Sequence, residues 1–221
     1  MKRFLLFFFL LLVILIGISG GLYWSSAQVP EFYQEALQQQ VKPEVRQQEA
    51  KEFVQHSMQI VNDVRNKEPL WSQEFSEQQV NAWLAEELHQ KYNEWVPEGI
   101  TNPRVRFESN QVEIGFHLTL EKWAGIISLK LKPWLMKDNR LVLELEHARA
   151  GLLPIPIDEA ITKLIQEARA EGWQIEWGQV NDHDALVVYL DRSRKDLPDL
   201  TTLKVKPGVF QIAGKAHLER N

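Results

Sequence analysis

Cysteine is absent from all 221 residues. That excludes disulfides, thiolate nucleophiles and Cys-ligated zinc or iron–sulfur centres, so stability has to come from burial alone. Clustered positive charge is scarce too. The formal net charge is -5, and setting aside Lys2 and Arg3 leaves 23 of the 25 basic residues against 30 acidic ones. No basic stripe exists beyond short runs such as Arg192-Ser193-Arg194-Lys195, and nucleic-acid binding needs clustered phosphate-neutralising charge. Nucleophile elbow, Walker loop and dinucleotide fingerprint are all missing, as are internal repeats and low-complexity linkers.

What is present starts with apolar length. After Lys2 and Arg3, the chain from Phe4 to Ile18 carries no polar group, and the apolar stretch runs on to Leu22-Tyr23-Trp24. About 20 apolar residues of helix cross a hydrocarbon core. Residues 1–24 therefore read as a single-pass N-terminal anchor of the cell membrane. Lys2 and Arg3 keep the N-terminus cytoplasmic, and Tyr23 and Trp24 fall at the outer interface. The rival reading is a cleaved signal peptide, with Ser25-Ser26-Ala27 as its small-residue site. Both readings place the remaining chain outside the cytoplasm.

Residues 25–70 read as a helical stalk. A Gln-rich helix follows Val29-Pro30, and after Pro43 a longer one runs from Glu44 to Asn66 with Phe53, Ile60, Val61 and Val64 on a narrow apolar face. Residues 71–221 read as an α+β domain. Ser76-Glu77-Gln78-Gln79 is a capping box opening a helix that lines up Val80, Trp83, Leu84, Leu88 and Tyr92. Asn81, a weak helix former, lies inside it.

From Asn102 the period changes to two. Val112, Ile114, Phe116, Leu118 and Leu120 alternate with polar residues, then Ile127, Leu129 and Leu131, then Leu141, Leu143 and Leu145. Turns at Ser109-Asn110 and Lys137-Asp138-Asn139 make this an antiparallel meander. Leu152-Leu153-Pro154-Ile155-Pro156 ends it. A helix from Asp158, with Ile161, Leu164, Ile165 and Ala168 on its apolar face, closes at Gly172. Two hairpins follow, one turning at Asn181-Asp182-His183-Asp184 and one at Pro207-Gly208.

Chemistry-bearing residues have bland readings beside the sharp ones. Of six histidines, only His183 sits among carboxylates, in Asp182-His183-Asp184, where a turn favours Asp for local backbone reasons. Glu144 and Glu146 share a strand face as an acid pair would, and also as ordinary solvent-facing residues would. Gly115 and Gly125 are lone glycines of the kind that mark close packing. No catalytic residue, metal or cofactor is expected. The long dry strand face carries more weight. Covered fully by the helix from Asp158, it is a core; left with a gap, it is a groove for an acyl chain.

The order of segments resembles a known group. An N-terminal apolar helix precedes Phe75-Ser76-Glu77-Gln78-Gln79-Val80-Asn81-Ala82-Trp83-Leu84, then come amphipathic strands, then Leu152-Leu153-Pro154-Ile155-Pro156 leading into a helix. This is similar to the YpmS-like membrane-anchored bacterial proteins, and more distantly to TULIP-like lipid-binding domains, over Phe75 to Ala170. The Gln-rich helices from Glu31 to Asn66 depart from that pattern. The resemblance implies a curved antiparallel sheet around an amphipathic helix, with a lipid or other hydrophobic ligand as cargo. Trp83, Phe116, Leu118, Ile127, Leu129, Leu143, Ile155, Ile161 and Ile165 are the candidate ligand-binding residues. The alternative is a scaffold whose helical stalk docks an envelope protein.

Overall fold

A computed structural model describes residues 25–39, 41–92, 96–190 and 199–215. The expected anchor over residues 1–24 lies outside them. Among the described residues no helix is long and apolar enough to cross a membrane.

The fold is α+β, built on a large antiparallel sheet. Helix α1 spans Glu31–Gln38 and α2 spans Pro43–Arg65, with Pro43 at its first turn, where the missing N–H costs nothing. Strand β1 (Trp71–Ser76) leads straight into α3 (Glu77–Trp83). Ser76 caps α3 by the expected reciprocal pair: its Oγ accepts from Gln79 N–H at 3.0 Å and its own N–H donates to Gln79 Oε1 at 3.1 Å. A π-helical turn over Leu84–Leu88 follows, then one α-turn at His89–Lys91. The wider turn shifts the helix phase. Trp83 and Tyr92 would stand half a turn apart on a regular helix, yet their rings lie 5.8 Å apart.

The meander forms as read. Strands β2 (Ile100–Glu108), β3 (Gln111–Leu120), β4 (Trp123–Leu135) and β5 (Arg140–Ala150) pair in sequence order. Asn110 and Asn139 turn them with φ of 60° and 57°, a region asparagine tolerates. The short β6 (Leu153–Pro154) pairs with the end of β5. Helix α4 (Asp158–Ala170) leads to the hairpin β7 (Ile175–Val180) and β8 (His183–Tyr189). β8 pairs with β5, giving a seven-stranded sheet in the order β2-β3-β4-β5-β8-β7 with β6 beside β5.

The β7–β8 turn is shorter than the sequence implies. Asn181 and Asp182 carry φ of 53° and 66° and turn the chain alone, the two-residue geometry that matches strand twist. His183 and Asp184 therefore lie in β8 rather than in the turn.

A second sheet holds β1, β10 (Val209–Lys215) and β9 (Asp199–Lys206), in that order. β1 has only Trp71 and Phe75 buried, too little periodicity to show as a strand. Trp71 lies against the bare Cα of Gly214. Helix α2 docks on this side: Phe53 packs at 5.2 Å on both Phe75 and Trp83, and Arg46 pairs with Glu86. Of the expected apolar face of α2, Val61 is left outside, 55% exposed.

Candidate functional site: the apolar face of the large sheet

Register decides which side chains share a face. Val112, Ile114, Phe116 and Leu118 of β3 stand opposite Leu131, Leu129, Ile127 and Gly125 of β4. On the other side of β4, Ile127 meets Ala150 and Leu129 meets Ala148. Counting on by twos would then turn Leu145, Leu143 and Leu141 to the opposite face. A bulge prevents it: Lys130 pairs with His147 but Leu131 pairs with Leu145, so Glu146 is skipped. The three leucines stay in phase. β8 and β7 continue the face with Leu186 and Val188, then Trp177 and Ile175. No ionisable side chain interrupts it from β3 through the paired positions of β4 and β5.

Two clusters cover parts of this face. At one side, Ile165 of α4 packs with Ile175, Val188 and Leu190, joined by Ile161, Ala168 and Leu141. Arg169 ties the end of α4 to Ile175 O at 2.7 Å. At the other, Val105, Phe107 and Val205 form a core with Val80, Leu84, Ile114 and Phe210. Strand β9 crosses this end of the face. Asn139 Oδ1 accepts from Leu200 N–H at 2.9 Å at one end of it, and Asn110 N–H donates to Val205 O at 3.0 Å at the other. Phe116, Leu118, Leu129, Leu131, Leu143 and Leu145 are half-buried and belong to neither cluster.

The nine candidate residues are thus sorted by the fold. Phe116, Leu118, Ile127, Leu129 and Leu143 come together on the dry face. Ile155 lies at the edge of β5, its N–H donating to Ala148 O at 3.0 Å. Ile161 and Ile165 sit in the α4 core and form one wall. Trp83 is not brought to this face: it packs between Phe53 and Tyr92, toward α2. The reason is helix phase, since Val80 and Leu84 point at β2 and Trp83 lies to the side.

The opposite face is less wet than its sequence implies. Phe32 and Tyr33 of α1 bury themselves with Ile126 over β3 and β4. A Cβ at Gly115 would stand 2.7 Å from Tyr33 Cδ2 and 2.9 Å from Phe32 Cζ, so this lone glycine is the seat of α1. Tyr33 Oη donates to Asn102 O at 2.8 Å, and burial raises the phenol pKa. Arg106 pairs with Glu35 and lies 5.8 Å from the centre of the Phe32 ring.

Glu144, read as solvent-facing, is 6% exposed, with Lys132 Nζ and His183 Nε2 each 3.9 Å away. Glu146, displaced by the bulge, is exposed and accepts from Gln111 at 2.6 Å. The two carboxylates do not form a pair. His147 has its pKa lowered by burial and then by Arg149. Asp182, His183 and Asp184 do not converge: no group of three metal-ligating side chains occurs among the described residues.

Sequence reasoning missed how the edge of β2 is sealed. Asn81 Nδ2 donates to Val105 O and Asn81 Oδ1 accepts from Val105 N–H, both at 2.8 Å. Glu77 accepts from Phe107 N–H at 2.7 Å and Gly208 N–H donates to Phe107 O at 3.0 Å. The signal was the poor helix former at position 81. No family model, curated protein or solved structure matches the chain. Its function has to be read from this geometry.

Proposed function

We propose that this chain is a membrane-anchored, extracytoplasmic domain that binds a lipid or other hydrophobic ligand on the dry face of its large sheet, without catalysis. The observation that carries it is the band of half-buried apolar side chains between the two core clusters. A face of this kind, walled by α4 and β9 and free of charge, suits an acyl chain. The apolar run from Phe4 to Trp24 supports the membrane address, and the likeness to YpmS-like and TULIP-like proteins points the same way.

The test is uptake of a fluorescent fatty acid by the chain from residue 25, with mass spectrometry of its organic extract. Each added CH₂ should strengthen binding roughly three- to fourfold, from ~0.8 kcal/mol per buried CH₂, until the face is filled. Leu129→Trp and Leu118→Trp, which fill the band while keeping it apolar, should reduce uptake at least tenfold with the thermal midpoint little changed. An extract free of lipid and no uptake by the unaltered chain would end this reading.

A second reading, a scaffold docking an envelope protein through α2, rests on Met58 and Val61. These neighbours on one helix face are 61% and 55% exposed. Met58→Glu with Val61→Glu should then abolish co-purification of a partner and leave fatty-acid uptake intact.

A further inference from the structure

The end of the sheet where the described chain begins is built unlike the far end. Ser25 and Ser26 are fastened there. Leu152 N–H donates to Ser25 O at 3.0 Å, and Trp123 Nε1 donates to Ser26 Oγ at 3.3 Å. Gly151 and Gly125 lie under the backbone carbonyls of these two serines, and a Cβ at either glycine would collide with them or with Trp123. Gly151 also holds φ at +57°. Ser25 follows Trp24 directly, so no tether separates the apolar run from this fastening.

Around it lie the β3–β4 and β5–β6 turns, with Leu120 at 56% exposed and Leu152 at 55%, while Val29, 45% exposed, follows Ser26 by three residues. Trp123 stands half-buried among them. Apolar side chains grouped at a loop tip, with an indole beside them, match what sits at the headgroup level of a bilayer. Leu118 and Ile127, at the membrane end of the dry face, stand at this same end of β3 and β4. β9 crosses the opposite end, between Asn139 and Asn110.

We infer that this end of the domain docks into the outer leaflet, with Leu120, Leu152 and Trp123 in the interface, so that the end of the dry face, where Trp123 and the Ser26 carbonyl cover Gly125, lies against lipid. The inference rests on the reading of residues 1–24 as an anchor and of the dry face as a lipid site. It adds an orientation: the strands stand upright, the β3–β4 and β5–β6 turns wet by lipid and the β2–β3 and β4–β5 turns in water. Glu121 and Lys122 in the lower turn are both exposed and opposite in charge, so the contact is apolar in character and weakly sensitive to salt.

The cysteine-free chain allows a direct test. Leu120→Cys, Leu152→Cys, Ser109→Cys and Lys137→Cys are made singly in the full-length protein, coupled to an environment-sensitive fluorophore and reconstituted in phosphatidylcholine–phosphatidylglycerol vesicles. Nitroxide attached near the lipid headgroup should quench labels at 120 and 152 several-fold more than labels at 109 and 137, in low and high salt alike. Equal quenching at all four sites, or none, in protein that resists alkaline carbonate extraction would overturn the docking and leave the anchor standing. Release of the protein by carbonate would overturn both. Fatty-acid uptake, measured separately on the chain from residue 25, reports on the lipid site independently of either result.

Discussion

Asn81 performs the work of a missing strand. Its amide offers one donor and one acceptor at the spacing of a peptide group, and Val105 on the edge of β2 takes both at 2.8 Å. Asn81→Ala would leave a backbone N–H and C=O of a buried residue unpaired, each costing about 1–3 kcal/mol. We expect a loss of roughly 2–4 kcal/mol, read as a lower urea midpoint. Loss below ~0.5 kcal/mol would mean that water replaces the amide. His147 gives a second residue-scale prediction. Burial and Arg149 lower its pKa, so the unfolded chain binds a proton more readily than the folded one. Its stabilising contribution is present above the unfolded pKa of about 6.5 and is lost as pH falls below it. His147→Gln should flatten the fall in urea midpoint between about pH 6.5 and pH 5; an unchanged slope would assign that fall to other groups.

At the scale of elements, the bulge at Glu146 is the feature with most leverage. It keeps Leu141, Leu143 and Leu145 on the same face as Ala148 and Ala150. Glu146→Ala, at an exposed position with one hydrogen bond to Gln111, should cost under ~1 kcal/mol. Inserting an alanine between Leu143 and Glu144 should instead unfold the domain or abolish fatty-acid uptake, because a one-residue slip sends Leu143 and Leu141 to the wrong face, whereas removing Glu146 itself would leave the same partners paired in a regular ladder. Circular dichroism and uptake on the two variants check this. Comparable behaviour of both would show that β5 has slack.

The same elements mark what the sequence discloses. β3, β4 and β5 are legible because one face is dry, and alternation records that. β1 is not, because Trp71 and Phe75 alone are buried and its strand character depends on pairing with β10. The seating of α1 on Gly115 is likewise invisible, since Phe32, Tyr33 and the glycine meet only in three dimensions. Among the candidate residues, those on strands assembled because period two survives folding intact. Trp83 left the group because a helix spreads neighbouring positions around its axis, and α2 took it up.

For the whole molecule, the two faces of the large sheet are held by opposite ends of the chain. Phe32 and Tyr33 of α1 grip the outer face, and β9 with β10 crosses the dry one. In between, α4 shields only the β7–β8 side. That division leaves a half-buried apolar band in the middle of a domain that has neither disulfide nor metal site to stiffen it among the described residues. A ligand seated there would add burial where the core is thinnest. Fatty acid at 100 times its Kd should therefore raise stability by about 2.7 kcal/mol, measurable as a shift in the thermal midpoint.

The pairing of β1 with β10 carries a consequence for how the chain reaches its fold. Ser76 is matched with Val209 and Trp71 with Gly214, so one strand waits for another made much later. Bringing such distant segments together has to precede any gain from their contact, which slows folding. A chain synthesised from its N-terminus onward would hold Phe53 and Phe75 without their complete cover until β10 emerged. The polar, Gln-rich helices beside them would keep that intermediate in solution meanwhile.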